Sequence, residues 1–440
     1  MRILVFHGYL LRGTGSNVYN AELAAALVRL GHEVHLLCQE PDPFELDFVD
    51  AVGEWAGGEL RLEVRRRPAR CTVYRPDVGG LLPVYVADRY AGFDARPFPE
   101  LDDGQLDAYL DANVAAVREV AERARPDVAL ANHLIMGPAI LARALGDRVP
   151  YAVTVHGSAL EYTVKPHPRF LPYAREGIAT ARAVLVGSRH TAESLWAALD
   201  DPSLPPRTRL GPPGVDVRTF APRDPDRARQ GMQGLIARLE ARAQAPGGGD
   251  GSSFASDPAE AAAALRTVDL ERDRVVEFVG KLIVSKGIDL LLAAWPFVVA
   301  EVPEARLVVV GFGAYREACE RFVAALAAGD LGMPRQLAER GRAEEEGGPA
   351  GRLEMLGAFL DALEADSPAR ERYLAAAPRA AGRIAFTGRL EHAELADVLP
   401  AAEALAVPST FPEAFGMVAV EAAACGSLPV SAHHSGLAEV

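Results

Sequence analysis

The fold of this chain is decided by the stretch PSTFPEAFGMVAVEAAACGSLPV, residues 408–430. An apolar strand at 404–407 runs into it. The stretch then predicts a polar loop at 408–412, a helix from Gly416 to Ala424 and a strand from Leu428. Strand, helix and strand in this order form a βαβ unit. Open α/β sheets bind ligands outside the carboxyl ends of their strands, so the loop is the first candidate for a binding site.

The start of the predicted helix suits a phosphate group. The N–H groups of Gly416, Met417 and Val418 would open the helix, where the positive end of the helix dipole lies. Glu413 and Glu421 flank this point and are eight positions apart, a little over two helical turns. One carboxylate would lie in the loop over a ligand and the other along the helix, as acceptors for sugar hydroxyls. The alternative without a ligand is one acid at the helix dipole and one solvated acid.

Composition limits the class of protein. The chain has 440 residues, of which 49% are hydrophobic, and this predicts two or three domains of ordinary size. The formal net charge of −14 argues against nucleic acid or an anionic membrane as the main partner. Peripheral membrane contact stays compatible with the sequence, although no apolar run is long enough for a membrane span.

The four cysteines form no C-x-x-C pair. Three of them lie in or beside predicted strands and helices. Reduced core thiols are therefore expected, which favours a cytoplasmic location. The apolar N-terminus is short and has no small-residue cleavage site, so it predicts a first strand rather than a signal peptide.

The N-terminal half begins with a Rossmann-like pattern. Residues 2–6 predict a buried parallel strand, followed by a glycine-containing loop at 12–17, a helix at 19–30 and a strand at 33–38. The loop does not fit G-x-G-x-x-G, so it gives no support for a dinucleotide site. Short apolar runs within 61–86 predict strands or a hairpin inserted in this domain.

Further strands and helices alternate along this half. Strands are predicted at 128–131, 152–155 and 183–186, and helices at 106–124 and 191–199. Ser188 would cap the second of these helices. Several strands end in glycine and a polar residue; His156 follows one of them and His133 another. This alternation predicts a doubly wound parallel sheet.

The boundaries divide the chain into three parts. Residues 1–213 form the first domain, and 214–272 form a linker that contains a low-complexity segment at 246–253. Residues 273–440 form a second α/β domain, with a helical insertion at about 315–382. We expect the insertion to consist of solvated helices, and the sequence assigns it no role.

Seven stretches carry a family resemblance: 155–158, 186–188, 213–220, 279–287, 308–313, 386–390 and 412–426. Together, and above all through E-x7-E in its P-E-x-F-G context, they resemble the retaining family 4 glycosyltransferases of the GT-B fold, in the glycogen synthase-like superfamily. The resemblance implies two Rossmann-like doubly wound domains facing a cleft and an EC 2.4-type hexosyltransferase. The second domain would hold a nucleotide sugar and the first domain most of the acceptor. Neither a cofactor nor a metal is implied.

The resemblance also implies roles for particular residues. The catalytic residues would be His156 beside the transferred sugar, Lys286 as the cation for the diphosphate, and Glu413 at the donor sugar's hydroxyls. Glu421 would accept hydrogen bonds from the ribose. The full set of implied donor-binding residues is Gly15, Lys281, Gly311, Arg389, Leu390, Phe415, Gly416, Met417, Val418 and Glu421.

This chain differs from the family pattern at two places. Lys281 stands where the family usually has arginine, which keeps the charge but loses the planar fork that grips phosphate. The chain stops after Glu439-Val440, where family members continue with another strand and several helices. We therefore expect an incomplete second domain, and a marginal or inactive product if this chain is expressed.

Two retaining mechanisms are open to such an enzyme. A carboxylate, with Glu413 as the candidate, would form a covalent sugar–enzyme intermediate. Alternatively the acceptor attacks from the face that the diphosphate leaves, and the diphosphate takes the proton. We favour the second route because no acid is clearly placed beneath the sugar.

Other functions remain compatible with the sequence. They are an α-glucan or glycogen synthase-like enzyme, a nucleotide-sugar 2-epimerase, and a catalytically dead homologue that binds nucleotide sugars. The N-terminal loop around Gly15 is only a loose match to the K-x-G-G loop of the synthases. The sequence does not specify the donor base, the donor sugar, the acceptor or the oligomeric state.

Overall fold

The computed structural model describes residues 1–86, 88–244, 254–345 and 351–440. The chain divides into two compact units, one formed by Met1–Pro213 with Glu439 and the other by Gly214–Ala438 with Val440. The low-complexity segment expected at 246–253 lies outside the described residues. Each unit is an α/β fold built on its own sheet.

The first unit is built on a mainly parallel sheet. Its strands are β1 (Arg2–Phe6), β2 (Glu33–Leu37), β3 (Ala51–Ala56), β4 (Glu59–Val64), β5 (Cys71–Arg75), β6 (Leu81–Val84), β7 (Asp94–Pro97), β8 (Val128–Asn132), β9 (Tyr151–Val155), β10 (Ala183–Val186) and β11 (Thr208–Leu210). The main sheet has the order β11-β10-β9-β8-β1-β2-β5-β3-β4, and β6 pairs with β7 separately. All pairs are parallel except β3 with β4.

Helices cover the sheet of the first unit. They are α1 (Gly15–Arg29), α2 (Asp103–Ala124), α3 (Gly137–Leu145), α4 (Leu171–Ala179), α5 (Arg189–Leu199) and α6 (Leu204–Arg207). A capping box starts α2, in which Asp102 accepts from the Gln105 N–H and the Gln105 side chain accepts in return. The Ser188 side chain caps α5 by accepting from Thr191 N–H at 3.1 Å, as the sequence predicts. Central strand β1 is buried on both faces, which is why its sequence is an unbroken apolar run.

Two details of this unit differ from the sequence predictions. Helix α1 begins at Gly15, four residues before the predicted start, because Thr14 is an extended N-cap whose carbonyl accepts from Val18 N–H at 3.0 Å. The strands predicted within 61–86 are confirmed as β4, β5 and β6, but they do not form a hairpin with one another: β5 lies in the main sheet, and β4 pairs with β3. Strand β3 was not predicted, because Gly53 weakens the strand pattern of its sequence. Glycine is needed there, since a Cβ would lie 2.7 Å from the Tyr74 ring.

The second unit contains a five-stranded parallel sheet in its described part. Its strands are β12 (Arg274–Val279), β13 (Ala305–Val310), β14 (Ile384–Gly388), β15 (Ala404–Val407) and β16 (Leu428–Ser431), in the order β14-β13-β12-β15-β16. Its helices are α7 (Pro225–Gln244), α8 (Pro258–Arg266), α9 (Ile288–Glu301), α10 (Arg316–Ala328), α11 (Gly332–Arg340), α12 (Glu354–Ala365), α13 (Ser367–Ala381), α14 (His392–Val398) and α15 (Met417–Cys425).

The strand order reverses between β12 and β15. The chain runs outward from β12 to β13 and β14, then returns to β15 on the other side of β12. Such a reversal leaves a crevice at the carboxyl ends of the two strands, where ligands of doubly wound sheets bind. The loops that follow β12 and β15 flank this point.

The helical insertion is packed rather than solvated. Helices α10 to α13 lie between β13 and β14, close to the predicted bounds. Buried Leu356, Leu360, Tyr373 and Ala377 share a core cluster with Trp295 of α9. The expectation of solvated helices is therefore wrong, because apolar residues four apart give α12 and α13 a face that packs on the domain.

None of the helices in the described ranges is long and apolar enough to cross a lipid bilayer.

A buried acid in the central strand gives a first prediction. Glu277 on β12 is 0% exposed, and neither of its carboxyl oxygens has a hydrogen-bond partner within the described residues. Burial raises the pKa of Glu277 to about 8. The folded state therefore binds a proton that the unfolded state has lost, and stability falls as pH rises from the unfolded pKa toward pH 8, by up to about 1.4 kcal/mol per pH unit.

Glu277→Gln should remove this pH dependence. The gain in unfolding free energy over the wild type should grow between pH 5.5 and pH 7.5, as measured by urea unfolding at several pH values. The exposed Glu22→Gln serves as the control and should follow the wild type. If the free energy of unfolding changed equally with pH in Glu277→Gln and in the wild type, this carboxyl group would not be buried and protonated.

Candidate functional site

Loops at the carboxyl ends of the second sheet touch backbone to backbone. A Cβ on Gly311, after β13, would lie 1.9 Å from the carbonyl oxygen of Gly280, after β12. Gly287 has φ of +68°, and a Cβ there would lie 2.0 Å from the carbonyl oxygen of Pro408, after β15. Only glycine fits these two positions, and the close contacts fix the three loops against one another.

The loops bring two of the predicted catalytic residues together. Lys286 ends the short turn Val284–Lys286, and its Nζ donates to Oε1 of Glu413 in the loop after β15. Burial alone would raise the pKa of Glu413, but the charge of Lys286 and hydrogen bonds from Lys286 and Ser409 outweigh it. The pKa of Glu413 therefore lies below its ordinary value, and the pair is an ion pair.

A closed ring of hydrogen bonds fixes the orientation of Glu413. Its backbone N–H donates to Ser435 Oγ at 2.9 Å, which lies 3.1 Å from His434 Nδ1. His434 Nε2 lies 2.7 Å from the carbonyl oxygen of Ser409, and Ser409 Oγ donates to Glu413 Oε1 at 2.7 Å. With a proton on Nε2, His434 donates to the Ser409 carbonyl oxygen, and its Nδ1 lies within hydrogen-bonding distance of Ser435 Oγ. A Cβ at Gly436 would lie 2.7 Å from the Glu413 carbonyl oxygen, so this segment also needs glycine.

Helix α15 begins where the sequence predicts. Gly416 is its N-cap residue with φ of +132°, and no side chain among the described residues caps this end. The first turn carries no acidic residue. Phe415, Met417 and Val418 are partly exposed around this start. The predicted anion site is thus present as a helix N-terminus, and its binding role stays a prediction.

Glu421 lies on α15 and is held by a histidine that the sequence analysis missed. His392 Nε2 lies 2.8 Å from Glu421 Oε1, and Glu421 is 8% exposed. The His392 ring also packs on Phe220, with ring centroids 5.0 Å apart. Its position in the sequence could have pointed to it, because His392 stands just beyond Arg389-Leu390 at the carboxyl end of β14, where ligands of such sheets bind.

The side chains of Arg389 and Leu390 have partners within the protein. Arg389 donates to the Phe254 carbonyl oxygen at 2.9 Å and to both carboxylate oxygens of Glu391. Leu390 is buried in the core of the unit. Any contact of residues 389 and 390 with a nucleobase would therefore be through their backbone.

Lys281 follows Gly280 directly at the end of β12 and is partly exposed.

The first unit places His156 at the carboxyl end of β9. Its Nε2 lies 2.8 Å from Asn132 Oδ1, and its ring meets those of Tyr19 and His133 edge-on, each at 5.0 Å. Asn132 Nδ2 donates to the Phe6 carbonyl oxygen, so Oδ1 is the acceptor and His156 Nε2 carries the proton. Burial, with a smaller effect of a second histidine, lowers the pKa of His156 to about 3. The imidazole is therefore neutral at physiological pH.

Two further histidines adjoin His156, and we call His7, His133 and His156 the histidine cluster. Burial lowers the pKa of His7 to about 4, against the opposing effect of hydrogen bonds that its Nε2–H donates to Asn17 Oδ1 and to the Leu10 carbonyl oxygen. His133 is buried, and neither ring nitrogen has a partner within the described residues. The cluster is thus uncharged. The sequence placed His133 at a strand end but gave it no role.

The placement of Gly15 differs from the expected loop. It is the first residue of α1, so its amide belongs to a helix N-terminus and not to a glycine-rich loop. In the described part of the chain, no group of three or more His, Cys, Asp or Glu side chains could hold a metal ion.

Solved structures share this fold across the whole chain. Sucrose-phosphate synthase from Thermosynechococcus elongatus matches with a TM-score of 0.54 and 18% identity, covering 99% of this chain and 82% of that one. HepE (Alr3699) from Anabaena, solved in complex with UDP and glucose, matches with a TM-score of 0.53 and 15% identity, covering 100% and 82%.

Sequence families match most of the chain as well. The family described as "Glycosyl transferase 4-like domain" matches residues 14–201, and "Glycosyl transferases group 1" matches residues 348–440. The chain is a GT-B glycosyltransferase. Among curated relatives, the D-inositol 3-phosphate glycosyltransferase of Xylanimonas cellulosilytica is 27% identical over 440 aligned residues, covering 97% of this chain and 77% of that enzyme. The fold and the enzyme class predicted from the sequence are thereby confirmed for this glycosyltransferase.

The contact of Gly287 with Pro408 gives a second prediction. Gly287→Ala adds a Cβ that clashes with the Pro408 carbonyl oxygen at a positive φ. Gly329→Ala is a matched control, since Gly329 has φ of +67° but no atom within 4 Å of the added Cβ. In urea unfolding, Gly287→Ala should cost about 1–3 kcal/mol more than Gly329→Ala. Equal costs would mean that the loops after β12 and β15 do not touch.

Proposed function

We propose that this glycosyltransferase transfers a sugar from a nucleoside diphosphate sugar to an acceptor hydroxyl, with retention of configuration and without a metal ion. The observation that carries the proposal is the Lys286–Glu413 ion pair in the loops of the second sheet, within the same unit as the uncapped start of α15. Two HepE structures from Anabaena, solved in complex with UDP-glucose and with UDP, agree with this class of donor.

The diphosphate would bind to Lys286 and the first N–H groups of α15. Negative charge develops on the diphosphate as the glycosidic bond breaks, and a fixed ammonium group and a helix N-terminus stabilise such charge. Lys281 would add a second cation at the end of β12. Glu421, already oriented by His392, would accept hydrogen bonds from the ribose hydroxyls. Lys286, Lys281 and the N-terminus of α15 would provide the positive charge for the leaving group without a metal.

The environment of Glu413 favours attack by the acceptor from the face that the diphosphate leaves. Its Oε1 already accepts from Lys286 and Ser409, and the ring through His434 fixes its backbone. A carboxylate held in this way suits a hydrogen-bond acceptor for donor-sugar hydroxyls. It is a poor nucleophile, because these contacts stabilise the charge that a nucleophile would have to share.

The acceptor would be a polyhydroxyl compound. At the edge of the histidine cluster, His156 Nδ1 can accept a hydrogen bond from a hydroxyl group, and the nearby Tyr19 hydroxyl can donate or accept one. His156, being neutral, would hold a hydroxyl rather than act as an acid. The curated relative named for D-inositol 3-phosphate supports a polyol of this kind.

A cytoplasmic location is part of the proposal. All four cysteines are free and buried, as expected for a protein of a reducing compartment. Burial raises the pKa of the Cys38 thiol to about 12, which keeps it protonated and unreactive.

The donor site gives a third prediction. In a thermal-shift screen with UDP, GDP, ADP and their common sugar conjugates, one diphosphate should raise the melting temperature selectively. Lys286→Ala and Glu421→Ala should weaken its binding about tenfold or more, since each removes a charged contact. Lys165→Ala is the matched control, because Lys165 also pairs with a glutamate, Glu161, in the first unit.

A product assay completes this test. With the selected donor and a polyol acceptor, the new bond should keep the donor's anomeric configuration in proton NMR, and EDTA should leave the rate unchanged. A product with inverted anomeric configuration would refute retention. A rate that EDTA lowers would refute catalysis without a metal ion. Release of the 2-epimer without an acceptor would favour the epimerase alternative. A folded chain that binds none of the nucleotides would refute the proposed donor class.

A further inference from the structure

One carboxylate connects the helical insertion to the turn that carries Lys286. Glu345 follows the short turn Arg342–Glu344 after α11 and is 7% exposed. Its Oε1 accepts a hydrogen bond from the backbone N–H of Val284, the first residue of the turn that ends at Lys286. A backbone N–H that donates to a carboxylate forms one of the stronger hydrogen bonds in proteins.

The insertion holds Glu345 in place. Its second oxygen, Oε2, accepts from Arg342 Nε at 3.1 Å. The neighbouring Glu344 pairs with Arg340 of α11 at 2.6 Å and with Arg321 of α10. These ion pairs join α10 and α11 next to Glu345, so the carboxylate is presented by a packed scaffold.

The same turn is held from its other side by the loop after β15. Thr410 N–H donates to the Ser285 carbonyl oxygen at 3.0 Å. Val284 and Ser285 are both buried, and a buried N–H group without a partner costs about 1–3 kcal/mol. Loss of the Glu345 carboxylate would therefore leave Val284 N–H unsatisfied and let the turn shift.

We propose that Glu345 is a positioning residue that orders the turn Val284–Lys286 and so makes the helical insertion part of the donor site. This inference rests on the proposed function in one respect, namely that Lys286 binds the diphosphate. The ordering of the turn itself does not depend on any nucleotide. Glu345 acts through the backbone of Val284 and not by contact with the donor.

The experiment compares three variants by two measurements. Glu345→Ala removes the acceptor, Glu345→Gln keeps a neutral acceptor, and Glu344→Gln weakens ion pairs of the insertion without touching the turn. Hydrogen–deuterium exchange of the peptide covering 282–288 is measured on the chain without nucleotide. The dissociation constant of UDP, or of the diphosphate with the largest thermal shift, is measured by calorimetry.

Glu345→Ala should speed amide exchange in 282–288 and weaken diphosphate binding about five- to twentyfold. Glu345→Gln should stay within about threefold of the wild type, and Glu344→Gln should change neither quantity by more than about twofold. Unchanged exchange in Glu345→Ala, or an equal effect of Glu344→Gln, would overturn the proposal. If the wild type binds no diphosphate, the proposed function fails, while the exchange data still decide whether Glu345 orders the turn.

Discussion

The backbone contacts between the loops of the second sheet are the constraint on which the candidate site depends. Gly287 lies against Pro408 and Gly311 against Gly280, at distances that leave no room for a Cβ. These contacts occur beside the reversal of strand order between β12 and β15. Because the turn ending at Lys286 and the loop carrying Glu413 are pressed together, two side chains 127 positions apart in sequence form one ion pair.

The two units differ in the electrostatics of their candidate groups. In the second unit, the Lys286 ammonium group and the start of α15 carry the positive charge that a diphosphate leaving group needs, and the carboxylates Glu413 and Glu421 can accept from hydroxyl groups. The first unit holds three neutral histidines whose pKa values are lowered by burial. An uncharged cluster does not attract a diphosphate, and His156 at its edge is the member that is partly exposed. This difference in charge agrees with the proposed donor site in the second unit and the proposed acceptor site in the first.

Much of the fold could be predicted from the sequence because its strands are buried parallel strands. Runs such as Arg2–Phe6 and Ala404–Val407 are continuous and apolar, and helix α15 is marked by glycines at both ends. Strand β3 was missed because Gly53 interrupts its pattern to make room for Tyr74. The packing of the insertion was missed because helical spacing shows an apolar face but not what it packs against.

The candidate site was only partly predictable for a related reason. Lys286, Glu413 and Glu421 stand in recognisable patterns at strand ends and on a helix. His434, Ser435 and Glu345 reach the same site through hydrogen bonds between distant segments. No local pattern encodes such contacts, since they depend on how the chain folds back. A polar residue in a loop therefore becomes informative only when its partner is known.

A crystal structure of the chain with UDP, or with the diphosphate selected by the screen, would test the central claim most directly. We predict that the diphosphate lies within hydrogen-bonding distance of Lys286 Nζ and the first N–H groups of α15, with the ribose hydroxyls at Glu421. A nucleotide bound elsewhere in the second unit, or against the histidine cluster of the first, would contradict it.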